Sequence, residues 1–231
     1  MSVVKFRKYD TFAMKTFRTE KFIPALGYDW LTPFYDIGLR LTTRETVFKT
    51  ALVEQANFEP RQNILDLACG TGTLTILIKQ KYPQVKITGL DGDAKILAIA
   101  KTKAQKSKVA IEFEQAMSFA LPYADESFDR VVSSLFFHHL TRENKLKTLR
   151  EVFRVLKPDG ELHIADWGLP SNLLMKIASR GIQLLDGIET TADNFNGLLP
   201  SFLDETGFRE VEKRRHFNTL FGTIRLLKAK K

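Results

Sequence analysis

Residues 64–75 read ILDLACGTGTLT. Apolar residues of β character run into a turn of small residues, and a helical pattern follows. Asp66 sits near the end of the strand. Ala68, Gly70 and Gly72 recur at two-residue intervals, with Cys69 inside the turn. Small side chains let the backbone bend sharply and let a ligand approach it closely. The turn opens a helix N-terminus, whose free amides favour an anionic or hydrogen-bonding group. Such a stretch suits a nucleotide-type cofactor site at the first βα crossing of an α/β sheet.

Outward from this stretch, strands and helices alternate. Strands are predicted at 63–68, 85–90, 109–114, 128–135 and 161–165, and helices at 73–81, 94–106 and 144–156. Leu146, Leu149, Val152, Phe153 and Leu156 form one apolar stripe on the last of these helices. Lys157-Pro158-Asp159-Gly160 is expected to end it and turn the chain. Helices follow at 172–185 and 198–205, and two closing strands at 210–218 and 219–227. This order implies a mostly parallel, doubly wound sheet.

The first sixty residues lack that rhythm. Aromatic residues recur there, with Pro24 and Pro33 as breaks, and 42–57 turns helical with Val47, Leu52 and Val53 as core positions. The domain reading is therefore an N-terminal helical brace or lid at 1–60 and a main domain at 61–231, in which 168–200 covers the substrate side.

With 44% hydrophobic residues the chain can build a real core. No apolar run reaches the roughly 18 residues that span a bilayer, and no secretion signal is evident. One cysteine, Cys69, excludes an internal disulfide and a thiolate zinc cluster. A cytoplasmic protein without a metal is expected. The formal charge is +8. Between Glu205 and Lys231, eight Lys/Arg face three Glu, but they spread along apparent strands, so a nucleic-acid partner is not expected.

The glycine run lacks the third glycine of G-x-G-x-x-G, which argues against a dinucleotide dehydrogenase. Asp91 ends the second strand. A carboxylate there can accept both ribose hydroxyls. It can also cap the next helix, a role equally open to Asp93. His138 and His139, just past the fourth strand, are candidates for a general base or for packing. Asp166 and Trp167 reach the same sheet edge and read either as substrate contacts or as a packed turn.

Taken together, D-L-A-C-G-T-G, G-L-D-G-D, L-P-Y-A-D-E-S-F-D-R-V-V-S-S and L-K-P-D-G-E-L resemble the class I S-adenosylmethionine-dependent methyltransferases. They are most similar to the branch containing the ubiquinone/menaquinone-biosynthesis C-methyltransferases. The resemblance covers residues 61–167. It implies a Rossmann-like, seven-stranded, mostly parallel sheet with an antiparallel C-terminal hairpin, and methyl transfer from S-adenosylmethionine to a small acceptor. Asp66 and the turn from Ala68 through Cys69 and Gly70 to Gly72 would hold the cofactor's amino-acid part. Asp91 would take the ribose, with Gly92 leaving room for adenosine. Met117 and Ser118 would frame the adenine, where the family often has G-D-A and this chain has Ala116-Met117-Ser118. Ser133, Ser134 and Leu135 would run beneath the methionine portion. Tyr35, in a Tyr35-Asp36 pair, would close over the cofactor, with Arg40 or Arg44 near its carboxylate.

An apolar or aromatic acceptor fits the excess of Phe over Tyr and Trp. Leu173, Leu174, Ile177, Ile182, Leu184 and Leu185 read first as core. The other reading is a lid over a hydrophobic acceptor or a lipid-facing surface. The polar stretch 189–194 could border the same mouth. An RNA or protein methyltransferase and a non-catalytic S-adenosylmethionine-binding protein are the alternatives. The sequence leaves oligomeric state open.

Overall fold

The computed structural model describes residues 44–231. Tyr35, Asp36, Arg40 and most of the 1–60 segment lie outside the described residues. The elements in chain order are α1 (Glu45–Ala56), β1 (Asn63–Leu67), α2 (Thr73–Lys81), β2 (Lys86–Asp91), α3 (Ala94–Lys106), β3 (Glu112–Gln115) and β4 (Phe128–Ser134). After a 3₁₀ turn at Phe137–His139 come α4 (Arg142–Val155), β5 (Leu156–Trp167), α5 (Leu173–Asp186), α6 (Ile188–Phe195), α7 (Leu199–Glu205), β6 (Arg209–Thr219) and β7 (Gly222–Lys230).

The seven strands lie in the order β3-β2-β1-β4-β5-β7-β6. The first five pair in parallel, and β7 runs antiparallel to both β5 and β6. The chain thus winds outward from β1 to β3, returns to β4 beside β1, and winds the other way. Ligands bind in the crevice that such a reversal leaves outside the carboxyl ends of the strands. Pairing brings Leu67 level with Leu90 and with Ser133, and Ser134 level with Ala165. The ends of β1, β2, β4 and β5 therefore share one edge.

Alternate residues of each central strand feed two buried layers, as a sheet covered on both faces requires. Ile64, Val132, Ala165 and Trp167 join Phe48, Leu52, Leu74 and Ile78 on one face. Leu65, Leu67, Val131, Leu162 and Ile164 join Leu149, Val152, Phe202 and Phe208 on the other. Helix α1 is part of the first layer.

Three expectations need correction. Val47 is 44% exposed, because Phe48, Ala51, Leu52 and Ala56 form the inner face of α1. Residues 157–160 lie inside a strand, as an irregularity with Asp159 in left-handed backbone at φ 59°. β5 begins at Leu156 opposite Phe128 and shifts register before Glu161 meets Arg130. The 189–194 stretch, which the sequence left without an assigned element, is helical, with Thr190, Thr191, Asp193 and Asn194 buried in α6. The core reading of 173–185 fails for Leu173, Leu174, Ile177, Leu184 and Leu185, which are exposed, while Ile182 packs against the core.

The inner face of α4 carries an ammonium. Lys145 is fully buried among Thr148, Leu149, Val152 and Val155. Its Nζ donates to Leu140 O at 2.7 Å and Thr190 O at 2.6 Å, and lies 3.7 Å from Asp193. Burial lowers its pKa. This lysine ties α4 to α6. Lys145→Ala is expected to cost about 3–5 kcal/mol in urea unfolding, because it leaves buried polar groups without their partner. Lys147→Ala, on the same helix, breaks a surface pair with exposed Glu143 and is expected to cost no more than about 1 kcal/mol.

Candidate active site

The turn after β1 adopts left-handed backbone at Ala68 (φ 55°), Gly70 (φ 54°) and Gly72 (φ 76°). Gly72 is also a close-packing point: a Cβ there would meet Ala100 Cβ at 3.1 Å. Gly70 differs. A Cβ on it would meet nothing within 4 Å. Its lack of a side chain therefore opens space instead of relieving a clash.

Asp91 closes that space from β2. Its Oδ2 accepts from the Gly70 amide at 2.9 Å and its Oδ1 from the Asp93 amide at 3.0 Å. Each carboxylate oxygen keeps a further lone pair for a ligand. Burial raises the pKa of Asp91, against the bonds from Asp93 and Gly70. The helix-cap role falls to Asp93, whose side chain accepts from the Lys95 and Ile96 amides. Asp91 is thus free for the cradle.

Asp66 stands behind the turn. It is 1% exposed, and its Oδ2 accepts from Thr75 Oγ1 at 2.6 Å. The carboxyl is turned onto α2 and away from solvent. Burial pushes its pKa up to about 7, opposed by the Thr75 bond and Lys49 and assisted by the Asp91 charge. Cys69 contributes its backbone, donating to Leu90 O at 2.9 Å. Its thiol is buried, and burial pushes its pKa far up.

At the end of β4, Ser133 Oγ donates to Leu67 O, closing the β1–β4 junction. Ser134 Oγ is buried and has no hydrogen-bond partner among the described residues. Leu135 takes left-handed backbone at φ 54° and donates to Ala165 O. After β3, Ser118 Oγ lies 2.9 Å from Thr148 Oγ1, and Met117 is half-buried. One residue beside Asp91 escaped sequence reading. Gln115 pairs in register with Asp91, and its Nε2 donates to Gly92 O. The signal was its place as the last residue of β3.

His138 and His139 come together with acids from distant parts of the chain. His138 Nδ1 lies 2.6 Å from Asp166 Oδ1, and the two imidazole rings lie 3.9 Å apart. Asp166 also accepts from the Phe136 and Trp167 amides. Burial raises the pKa of Asp166, but the His138 charge and bond and the Trp167 amide outweigh it and hold it low. Burial and the neighbouring His138 push His139 down to about 3. Asp166 and Trp167 also border a cleft of about 100 Å³ with Leu169, Asn194 and Arg225. This cleft shares no residue with the Gly70–Asp91 cradle. Arg44 is exposed and starts α1.

A family model described as "Methyltransferase domain" matches residues 64–160. The "Uncharacterized methyltransferase sll0829" of Synechocystis sp. is 30% identical over 207 residues, covering 88% of this chain and 92% of the relative. The chain belongs to the class I S-adenosylmethionine-dependent methyltransferases. The demethylmenaquinone methyltransferase of Lactobacillus johnsonii is 35% identical over 153 residues, covering 65% of this chain and 60% of that protein. The chain spans about 57–64% of the length of the first such relatives it matches. A crystal structure of an S-adenosylmethionine-dependent methyltransferase from Aquifex aeolicus shares the fold, with a TM-score of 0.60 and 20% identity over 83% of this chain and 91% of that one.

S-adenosylmethionine is the cofactor this family and fold imply. The residues fit it: space at Gly70, spare acceptors on Asp91 and an unpaired hydroxyl at Ser134 occupy one sheet edge.

The buried Asp66 makes stability depend on pH. Its native pKa of about 7 lies above the unfolded value of 3.8, so the native state binds the extra proton between them. Its contribution is fully present below about pH 4 and is lost as pH rises through about 7. Asp66→Asn cannot ionise. Urea unfolding is expected to show the variant gaining on the parent, by about 1.4 kcal/mol for each pH unit across that window.

Proposed function

We propose that this chain transfers the methyl group of S-adenosylmethionine to a small, apolar or aromatic acceptor by in-line displacement, with a quinone-like ring bearing an apolar tail as the acceptor class. The observation that carries the cofactor half of this reading is the Gly70–Asp91 cradle at the carboxyl ends of β1 and β2. Bound S-adenosylmethionine supplies an activated methyl carbon on a positively charged sulfur. The chain's task is to orient the reactants and exclude water. Asp91 accepts from the ribose hydroxyls, Gln115 and Met117 border the adenine, and Ser134 and Leu135 support the methionine portion. Asp66 holds the turn through Thr75 and places negative charge behind it.

Two observations favour the acceptor class. Relatives carry the name demethylmenaquinone methyltransferase. Helix α5 presents Leu173, Leu174, Ile177, Leu184 and Leu185 to solvent among the described residues. Exposed apolar side chains clustered on one helix are a place for a hydrophobic tail. No helix among the described residues is long and apolar enough to cross a membrane.

Calorimetry with S-adenosylmethionine is expected to give one site per chain. Asp91→Ala is expected to weaken it roughly 10- to 100-fold, since a charge-assisted bond contributes about 1.5–3 kcal/mol. Unchanged affinity in that variant would sink the cradle assignment. Turnover is followed as formation of S-adenosylhomocysteine with prenylated hydroquinones, water-soluble catechols and RNA as acceptors. Hydroquinones are expected to react fastest. Preferred turnover of RNA, with strongly salt-dependent binding, would establish the nucleic-acid alternative. Cofactor binding without turnover of any acceptor would leave a binder only.

A further inference from the structure

We propose that His138, His139 and Asp186 form a binding site for one divalent first-row metal ion, with Asp166 as the outer partner that orients His138. One ligand atom from each of the three residues lies within 4.8 Å of the others. The three come from two places: the 3₁₀ turn after β4 and the last residue of α5. Imidazole and carboxylate together suit zinc, cobalt, nickel and iron.

The geometry around His138 is what separates this reading from a simple ion pair. Its Nδ1 is held by Asp166 Oδ1 at 2.6 Å. With the proton on Nδ1, Nε2 presents a lone pair. Metal-bound histidines are oriented in this way by a carboxylate on the other ring nitrogen. Asp166 is itself fixed, since its oxygens also accept the Phe136 and Trp167 amides. The free Nε2 lies 3.6 Å from Asp186 Oδ2. That is too long for a good hydrogen bond. It is close to the separation of about 3.4 Å expected for two ligands bound at about 2.1 Å to one tetrahedral ion. His139 follows His138 in the same turn, its ring tilted 40° to that of His138 with centroids 3.9 Å apart, and brings the third donor.

Charge points the same way. Two carboxylates, Asp166 and Asp186, flank the His138 imidazole on its two nitrogens. The nearest ammonium, Lys145, is already engaged by Leu140 O, Thr190 O and Asp193. Access exists, since the Asp186 side chain is 23% exposed. Three protein ligands leave one tetrahedral position open. If the methyl-transfer reading above holds, an acceptor oxygen can fill it, because the site sits on the carboxyl-terminal edge of β4 and β5. The metal site itself does not rest on that reading. It departs from the metal-free expectation, which considered thiolates and not this pairing of residues far apart in sequence.

The test uses the full chain, stripped with a chelator and titrated with cobalt(II) chloride, following visible d–d absorption, and with zinc sulfate by calorimetry. One ion per chain is expected. Asp186→Asn and His139→Gln should each weaken binding at least about tenfold, and Asp166→Asn by about 10- to 100-fold through the lost outer partner. Zinc should raise the melting temperature of the parent, as any ligand of the native state does. Asp186→Asn, an isosteric change at a helix end, should melt like the metal-free parent and lose that rise. Glu189→Gln, exposed on the next helix, should bind as the parent does. Absence of one-to-one binding overturns the proposal and leaves His138 as an imidazole between two acids. Binding undiminished in both Asp186→Asn and His139→Gln also overturns it, by placing the ion elsewhere. S-adenosylmethionine affinity measured in the same metal-free preparation keeps failure of this site distinct from failure of the cofactor cradle.

Discussion

The bond from the Gly70 amide to Asp91 Oδ2, at 2.9 Å, joins the turn after β1 to the end of β2. It forms only because parallel pairing sets Leu67 level with Leu90 and because the turn reaches back through left-handed backbone at Ala68 and Gly70. Once made, it holds one carboxylate at the mouth of the crevice and leaves the space above Gly70 open. Cys69 N to Leu90 O adds a second tie across the same pair of strands. A nucleotide-like ligand then meets a wall already in position, so little ordering of the protein is required on binding.

The βα half of the chain was legible because its elements are short and strongly patterned. Helix α2 at Thr73–Lys81 and helix α3 at Ala94–Lys106 occupy the spans their spacing predicts. The ends of β1 and β2 could be placed for the same reason, and with them the cradle. The region after Trp167 was less legible. Helix α6 contains Thr190, Thr191, Asp193 and Asn194, residues that favour caps and turns over helix interiors. Here they are buried and engaged: Asp193 pairs with Arg142 of α4, and Asn194 Nδ2 donates to Trp167 O. Tertiary partners overrode local preference. Helix α5 misled in the opposite sense, since an apolar stripe announces that something covers it but not that the cover is the core.

The histidine cluster shows a different limit. His138 and His139 stand out in the sequence, whereas Asp166 and Asp186 are ordinary acids 28 and 48 positions beyond His138. Nothing local links them. Only the parallel pairing of β4 with β5 brings Asp166 alongside, and only the return of α5 brings Asp186. Lys145 belongs to the same group. A lysine at helical spacing with Leu149 and Val152 can be seen as an intruder on an apolar face, but its partners, Thr190 and Asp193, lie in the helix that was not foreseen. Both polar clusters join α4 or its preceding turn to the 168–200 segment. That segment is therefore held to the sheet by specific polar contacts as well as by apolar burial, which fixes its orientation over the strand ends.

Asp66, behind the cradle, is coupled to Asp91, because the charge on Asp91 helps to raise the pKa of Asp66. With Asp66 near half ionised at neutral pH, a positive charge placed in the cradle favours its carboxylate form. By linkage the ionised form then holds that positive charge more tightly. A neutral ligand of the same shape gains nothing from this exchange. A buried carboxyl that would only weaken an ordinary core thus gives the crevice a preference for cations. On the proposed methyl-transfer reading, a sulfonium donor gains from this exchange and its uncharged thioether product does not.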